Sequence, residues 1–326
     1  MDYSRSSLIN QQCLVMENPN HYKQVQVLCA GEALIDLVSD SFGKLTPCLG
    51  GAVYNLTRAL ALQGIKTGYL NPLSGDLYGQ QLRQGLESAG AFVLEGHSLS
   101  NATSLAVVNL DEQGKAVYAF YREGVADRST TAQQLNVLSQ NTDAKLVCTG
   151  CLALSHDDRE TYLPWLAEQK RLGRLICIDI NVRAAVMRDA IAYKASIDSA
   201  LMYADMIKAS DDDLAYLQVS AADLLARTNA QLFLLTLGAQ GAELLTRQGQ
   251  RLVAHAQQGL QVVDTVGAGD CFFAGFLAHW LKESGDLQAA LDHAVNSASI
   301  NVTRQGCQPP TWDEAASLTT KQPPSP

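Results

Sequence analysis

The stretch Asp264-Thr265-Val266-Gly267-Ala268-Gly269-Asp270 sets two glycines and a carboxylate where an apolar run (Leu260, Val262, Val263) gives way to a helical pattern. Phe272, Phe273, Phe276, Leu277, Trp280 and Leu281 recur at helical intervals after it, the stripe of a helix packed on a sheet. Lacking Cβ atoms, Gly267 and Gly269 let the backbone approach a ligand closely. The first-turn N–H groups then point at that ligand, where the helix dipole also favours negative charge. The chemistry on offer is anion binding beside an acid: phosphoryl oxygens on the amides of Gly267, Ala268 and Gly269, with Asp270 taking the proton of a hydroxyl. At the positive end of a helix such a base is expected to stay ionised and weak. An Asp in a first turn also stabilises a helix by itself, and Gly-Ala-Gly also makes tight turns, so the motif alone leaves a purely structural reading open.

Residues 49 to 79 supply a second glycine pair, Gly50-Gly51, with Asn55 on the first turn of the following helix and Gly75-Asp76 before another. Together with Asp264 to Gly275, this segment resembles the two signatures of the ribokinase-like (PfkB) sugar kinases. Further matches stand in the family's order: Gly31-Glu32-Ala33-Leu34-Ile35-Asp36, Phe120-Tyr121-Arg122 with Ala126-Asp127, Asp179-Ile180-Asn181-Val182-Arg183, Thr236-Leu237-Gly238 with Gly241, and Val302-Thr303-Arg304-Gln305-Gly306. The likeness runs from about Val25 to Pro310. The Asp-x-Asn-x-Arg and Phe-Tyr-Arg pieces are most similar to fructokinases, with 2-keto-3-deoxygluconate kinases next. The resemblance implies ATP-dependent transfer of a γ-phosphoryl group to a primary hydroxyl of a small sugar, fructose first and 2-keto-3-deoxygluconate as the alternative. A catalytically idle sugar sensor on the same fold is the non-enzyme alternative. The Leu-Trp that often follows the Arg in both kinase groups is replaced by Ala184-Ala185-Val186-Met187, which weakens the identification of the sugar.

Asp36, Asn55, Asp179 and Arg183 are polar groups at strand ends or helix starts, where sugar hydroxyls could be read. The resemblance sets the sugar against Asp36, Gly50, Gly51 and Asn55, with Asp179, Asn181 and Arg183 nearby and Arg122 entering from a lid. It sets the nucleotide over Thr236, Gly238 and Gly241, beside the helix carrying Asn296, with its phosphates at Gly267 and Gly269. Where ribokinase relatives carry Asn-x-x-Glu to organise the water shell of Mg²⁺, this chain has Ser210-Asp211-Asp212-Asp213, so Asp213 is expected to contact Mg²⁺ through water. Asp264 matches a K⁺ site of many relatives, but Pro310 stands where ribokinases use a hydroxyl ligand, which argues against K⁺ activation.

The elements that must position these residues alternate. Apolar runs Val25–Ala30, Thr67–Leu70, Lys145–Thr149, Leu175–Ile178, Met206–Lys208 and Leu232–Leu235 are interleaved with helical periods at Ala52–Gln63, Leu77–Ala89, Arg159–Arg171, Ala190–Tyr203, Gly267–Glu283 and Leu287–Val302. Strand then helix, repeated, predicts an α/β fold with a doubly wound, mostly parallel sheet and helices on both faces. Ligands of such sheets bind beyond the carboxyl ends of the strands, where Asp36, Asp179 and the Asp264–Asp270 loop fall. Two segments lack helices: 38–48 and 104–122, the latter with Asp111-Glu112-Gln113-Gly114 as a hairpin signal. The resemblance implies that they form a small β-sheet lid over the sugar. Its apolar Val107, Val117 and Tyr118 would offer a surface for a homodimer.

One kinase domain is expected over 25–318, between polar tails at 1–24 and 319–326. A net charge of −9 with no basic run argues against nucleic acid or an anionic membrane as partner, and neither a secretory signal nor a membrane-length apolar run is present. Eight cysteines set mostly in apolar elements fit reduced thiols and a cytoplasmic location. Cys148 and Cys151 form a C-x-x-C with only His156 close, whereas a zinc site wants a second pair or several histidines, and they read as core.

Overall fold

The computed structural model describes residues 22–39, 43–110, 116–184, 189–283 and 285–318. The expected tails, apart from residues 22–24, lie outside the described residues, as do the turn at Asp111–Gly114 and Ala185–Met187.

Nine strands form the main sheet: β1 (Val27–Cys29), β4 (Thr67–Tyr69), β5 (Phe92–Val93), β8 (Leu146–Gly150), β9 (Leu175–Asp179), β10 (Met206–Ser210), β11 (Leu232–Thr236), β12 (Ala242–Thr246) and β13 (Arg251–Ala254). Their order is β13-β12-β11-β10-β9-β8-β1-β4-β5, parallel from β11 to β5 and antiparallel at the β11-β12-β13 edge. The alternation of side chains divides two cores. Val27, Cys29, Cys148 and Cys177 turn to one face, Leu28, Val147, Ile176 and Ile178 to the other. Burial on both sides is why these strands read as unbroken apolar runs. Helices α1 (Ala52–Leu62) and α2 (Leu77–Ser88) cover the first face. Helices α3 (Ala132–Gln140), α4 (Arg159–Arg171), α5 (Ala190–Leu201), α6 (Asp211–Leu217) and α7 (Ala221–Arg227) cover the second. The first face is completed by α8 (Ala268–Lys282) and α9 (Leu287–Asn301), with the short α10 (Trp312–Ser317) against them.

Four strands, β2 (Leu34–Ser39), β3 (Leu45–Gly50), β6 (Ser104–Leu110) and β7 (Ala116–Tyr121), make a separate sheet in the order β3-β2-β6-β7. The expected lid segment at 38–48 is therefore longer, reaching from Leu34 to Gly50. Leu34 and Ile35 belong to β2. Leu34, Ala106, Cys151 and Leu152 form a small core where this sheet meets the body. Tyr118 does not supply the outer surface expected of it: it stacks on Phe120 with ring centroids 5.7 Å apart, and both line the cleft. Tyr121 is the outward aromatic, 62% exposed. The β12-β13 hairpin, turning at Gly249 with φ +88°, is also absent from the sequence-based pattern, which had no strand after β11. Gly150, one residue beyond the apolar run Lys145–Thr149, is the last residue of β8, paired with Asp179.

Candidate active site

A cleft of about 740 Å³ opens beyond the carboxyl ends of β8 to β11, between the two sheets and the N-terminus of α8. Asp270 lies on its wall in the first turn of α8, 6% exposed. Asn55 Nδ2, from α1, donates to its Oδ2 at 2.9 Å. Burial pushes the Asp270 carboxyl above the ordinary range, and Lys208, the Asn55 hydrogen bond and Arg183 pull it back. Against the expectation of a weak base at a helix start, desolvation outweighs Lys208, the Asn55 hydrogen bond and Arg183 and raises the carboxyl.

The turn before α8 explains the glycines. Ala268 N–H donates to the Thr265 carbonyl at 3.2 Å, with Gly267 at φ +76° and ψ 2°, the backbone of a type II turn at its third residue. A Cβ on Gly267 would come within 2.3 Å of Cys307 Sγ. The anion site expected at Gly267, Ala268 and Gly269 is therefore corrected at its middle member. The Ala268 amide is spent inside the turn, whereas those of Gly267 and Gly269 have no partner among the described residues.

On the sugar side, Asp36, Gly51, Asn55, Asn181 and Arg183 line the cleft as expected. The Asp36 carboxyl, pushed up to about 6 by burial, faces Arg183 and Asp270 and has no hydrogen bond among the described residues. Arg183 is tethered to Asn181 Oδ1 and to the Val182 carbonyl. Gly50 stands one residue outside the lining and acts through space: a Cβ there would meet Asp36 Oδ2 at 2.1 Å. Asp179 does not line the cleft, because its oxygens are taken by Lys208 Nζ at 2.9 and 3.0 Å. Arg122 is also withdrawn, buried between Asp127 and Asp158 at 3.6 Å from each.

Lys208 was missed in the sequence. It lines the cleft beside Gly269, its side chain only 4% exposed, and Asp179 and Asp213 hold it protonated against burial. A lysine within the apolar run of a central strand was the available signal, since such a charge is buried on both faces and must be paired. Glu32 was quoted only as part of a motif, yet it too lines the cleft.

On the nucleotide side, Ser210, Thr236, Gly238 and Gly241 line the cleft, facing Ala256–Leu260 and α9. Asn296 does not. Its amide donates to the carbonyls of Ala315 and Leu318 and accepts from Gln257, so it ties α10 to α9. Val295, Ala298, Ser299 and Val302 form the helical stripe that faces the cleft, and residue 296 is one step out of phase. Asp213 Oδ2 accepts from the Ser210 amide and hydroxyl and its Oδ1 from the Val182 amide. Three of the carboxylate's roughly four acceptor positions are thus taken by protein donors. Asp264 accepts from the amides of Val266 and Gly306 and from Gln305 Nε2, so it ties its loop to the Gln305–Gly306 segment.

A family model described as pfkB family carbohydrate kinase matches residues 25–314. A fructokinase of Rhizobium leguminosarum bv. trifolii is 33% identical over 262 residues, covering 77% of this chain and 78% of that protein. A fructokinase of Vibrio alginolyticus is 29% identical over 295 residues, with 86% and 94% covered. Among solved structures, a fructokinase from Xylella fastidiosa with bound ATP matches at a TM-score of 0.78 and 26% identity, covering 90% of this chain and 98% of that one.

Proposed function

The chain belongs to the pfkB family of carbohydrate kinases, and from that premise we propose that it is a fructokinase that phosphorylates a primary hydroxyl of the sugar. It is an ATP-dependent sugar kinase on the ribokinase-like fold, similar over most of its length to fructokinases. The observation that carries the reading is the Asp270 carboxylate, held by Asn55 at 2.9 Å on the wall of a cleft in which the amides of Gly267 and Gly269 lie free. Asp270 accepts the hydroxyl proton as the oxygen attacks the γ-phosphorus and the bond to the β–γ bridging oxygen breaks to release ADP, while the two amides and the Lys208 ammonium meet the charge on the transferred group. Asp36 accepts from a sugar hydroxyl, and the charge of Arg183 favours the ionised form of Asp36 and Asp270.

Mg²⁺ neutralises phosphate charge when bound, and the Ser210–Asp213 turn would hold its water shell. Asp264 is assigned to loop closure rather than to K⁺. Equal rates in K⁺ and in tetramethylammonium are the expected result, and a strong K⁺ dependence would overturn that assignment. No described helix is long and apolar enough to cross a membrane. The free cysteines described support a cytoplasmic setting, checked by cell fractionation. Pairing of two copies through the small sheet would use the β7 edge with Tyr121, and a monomer by light scattering would dismiss it.

The deciding experiment offers the purified protein ATP and fructose, 2-keto-3-deoxygluconate, ribose and nucleosides in turn, measuring ADP release. Fructose is expected to give the highest kcat/KM. Preference for the keto acid would reassign the substrate, and binding without turnover of any sugar would favour the sensor.

A further inference from the structure

One carboxyl in the cleft has no part in the reaction above. Glu32 follows β1 and lines the cleft at an interval of two from Leu34, itself two before Asp36. It is 1% exposed. Its Oε1 accepts from the Ala52 amide, the first residue of α1, at 2.9 Å. Its Oε2 is buried with no hydrogen-bond partner. Asn55, one turn along α1 from Ala52, carries a second orphan acceptor, Oδ1, while its Nδ2 is committed to Asp270.

Buried acceptors without partners are few in native proteins, and each forfeits a large desolvation free energy. Capping α1 accounts for one Glu32 oxygen; the Cys151 thiol and the residue's own amide lie near enough to draw the carboxyl downward, yet neither makes a hydrogen bond of ordinary geometry to Oε2. The nearby guanidinium of Arg122 draws the carboxyl downward, but it is itself divided between Asp127 and Asp158, and burial pushes Glu32 up to about 7. A group that accepts when ionised and donates when protonated suits a hydroxyl, which does both.

We infer that Glu32 is a specificity-determining residue that hydrogen-bonds one hydroxyl of the acceptor sugar through Oε2. This rests on the sugar-kinase reading and adds a residue to it. Glu32 transfers no proton in the reaction; it selects which sugar is held.

The test is a cycle of two perturbations. Parent protein, Glu32→Gln and Glu32→Ala are assayed for kcat and KM with fructose and with fructose analogues each lacking one hydroxyl, with melting temperatures recorded alongside. Glu32→Gln keeps an acceptor for the Ala52 amide and the volume of the side chain, so it reports even if Glu32→Ala folds poorly. With fructose, kcat/KM is expected to fall about 10- to 100-fold in Glu32→Ala and by less in Glu32→Gln, with KM for ATP unchanged. For one analogue the loss already seen with the parent should not deepen in either variant, because the lost partner is the same. Losses that multiply for every analogue, or variants within twofold of the parent on fructose, would overturn the inference. Whether the parent uses fructose at all is a separate readout. If it does not, the fructose assignment falls, and the same cycle is run on the sugar of the panel that is turned over.

Discussion

Replacing Lys208 by Met removes the cation on which the floor of the cleft is built, and its cost can be worked from the geometry. Nζ lies 2.9 and 3.0 Å from the Asp179 oxygens, with side chains 4% and 7% exposed, so water cannot take its place. A buried carboxylate stripped of its partner costs about 3 to 5 kcal/mol. Against the few to fifteen kcal/mol that hold most domains together, this is a large fraction, and a drop in melting temperature on the order of 10 °C is expected. Urea unfolding of the parent, Lys208→Met and the double variant Lys208→Met/Asp179→Asn is the assay. The double variant should regain part of the lost stability, since no unpaired charge is left behind. It should not regain activity, because Lys208 is also the largest influence holding the Asp270 carboxyl down. Without it the base is protonated at higher pH, and the acid limb of the rate profile moves upward in both variants. A Lys208→Met protein within about 1 kcal/mol of the parent, with an unmoved acid limb, would refute the reasoning.

Further expectations concern the base, the sugar acceptor and the turn. Asp270→Asn should lower kcat by ~10²- to 10⁴-fold while fructose still binds by calorimetry, and near-parent turnover would reassign the base. Asp36 titrates at about 6, above its ordinary value, so fructose KM should rise as pH falls through that point and the acceptor is lost. The sign for stability is the reverse: protonated Asp36 favours the folded state at low pH, and that contribution is withdrawn as pH climbs through about 6. A fructose KM flat between about pH 5 and 8 in the parent would contradict the role. In Gly267→Ala the Cβ meets Cys307 Sγ at 2.3 Å and the backbone stands at φ +76°, so both stability, by ~1 to 3 kcal/mol, and ATP affinity should fall. An unchanged melting temperature and ATP KM would show that the turn can yield.

The sequence announced the sheet because its strands are buried on two faces and its helices on one, so unbroken apolar runs and a period of 3.6 stood out wherever packing was ordinary. It announced Asp270 because the glycines beside it are demanded by local backbone. What stayed hidden depends on rotation and partner choice. Asn296 and Ser299 share a helix, yet only the latter faces the cleft, and a linear reading without a phase could not separate them. Arg122 and Lys208 were equally plain as letters. One is held away from the cleft by Asp127 and Asp158, the other at its floor by Asp179; Asp127 stands close to Arg122 in sequence, but Asp158 and the Asp179–Lys208 pair span distances that no motif encodes.

The backbone runs from β3 through Gly50 and Gly51 directly into α1, without an intervening loop. The strand paired with Asp36 and the helix whose Asn55 grips the base are therefore one continuous lever arm. A tilt of the small sheet on sugar binding is expected to pull on Asn55, and so to couple the splitting of ATP to the arrival of an acceptor. Lengthening the joint by a single inserted residue after Gly51 should raise sugar-independent ADP release relative to sugar-dependent turnover, and an unchanged ratio would mean that the arm is slack.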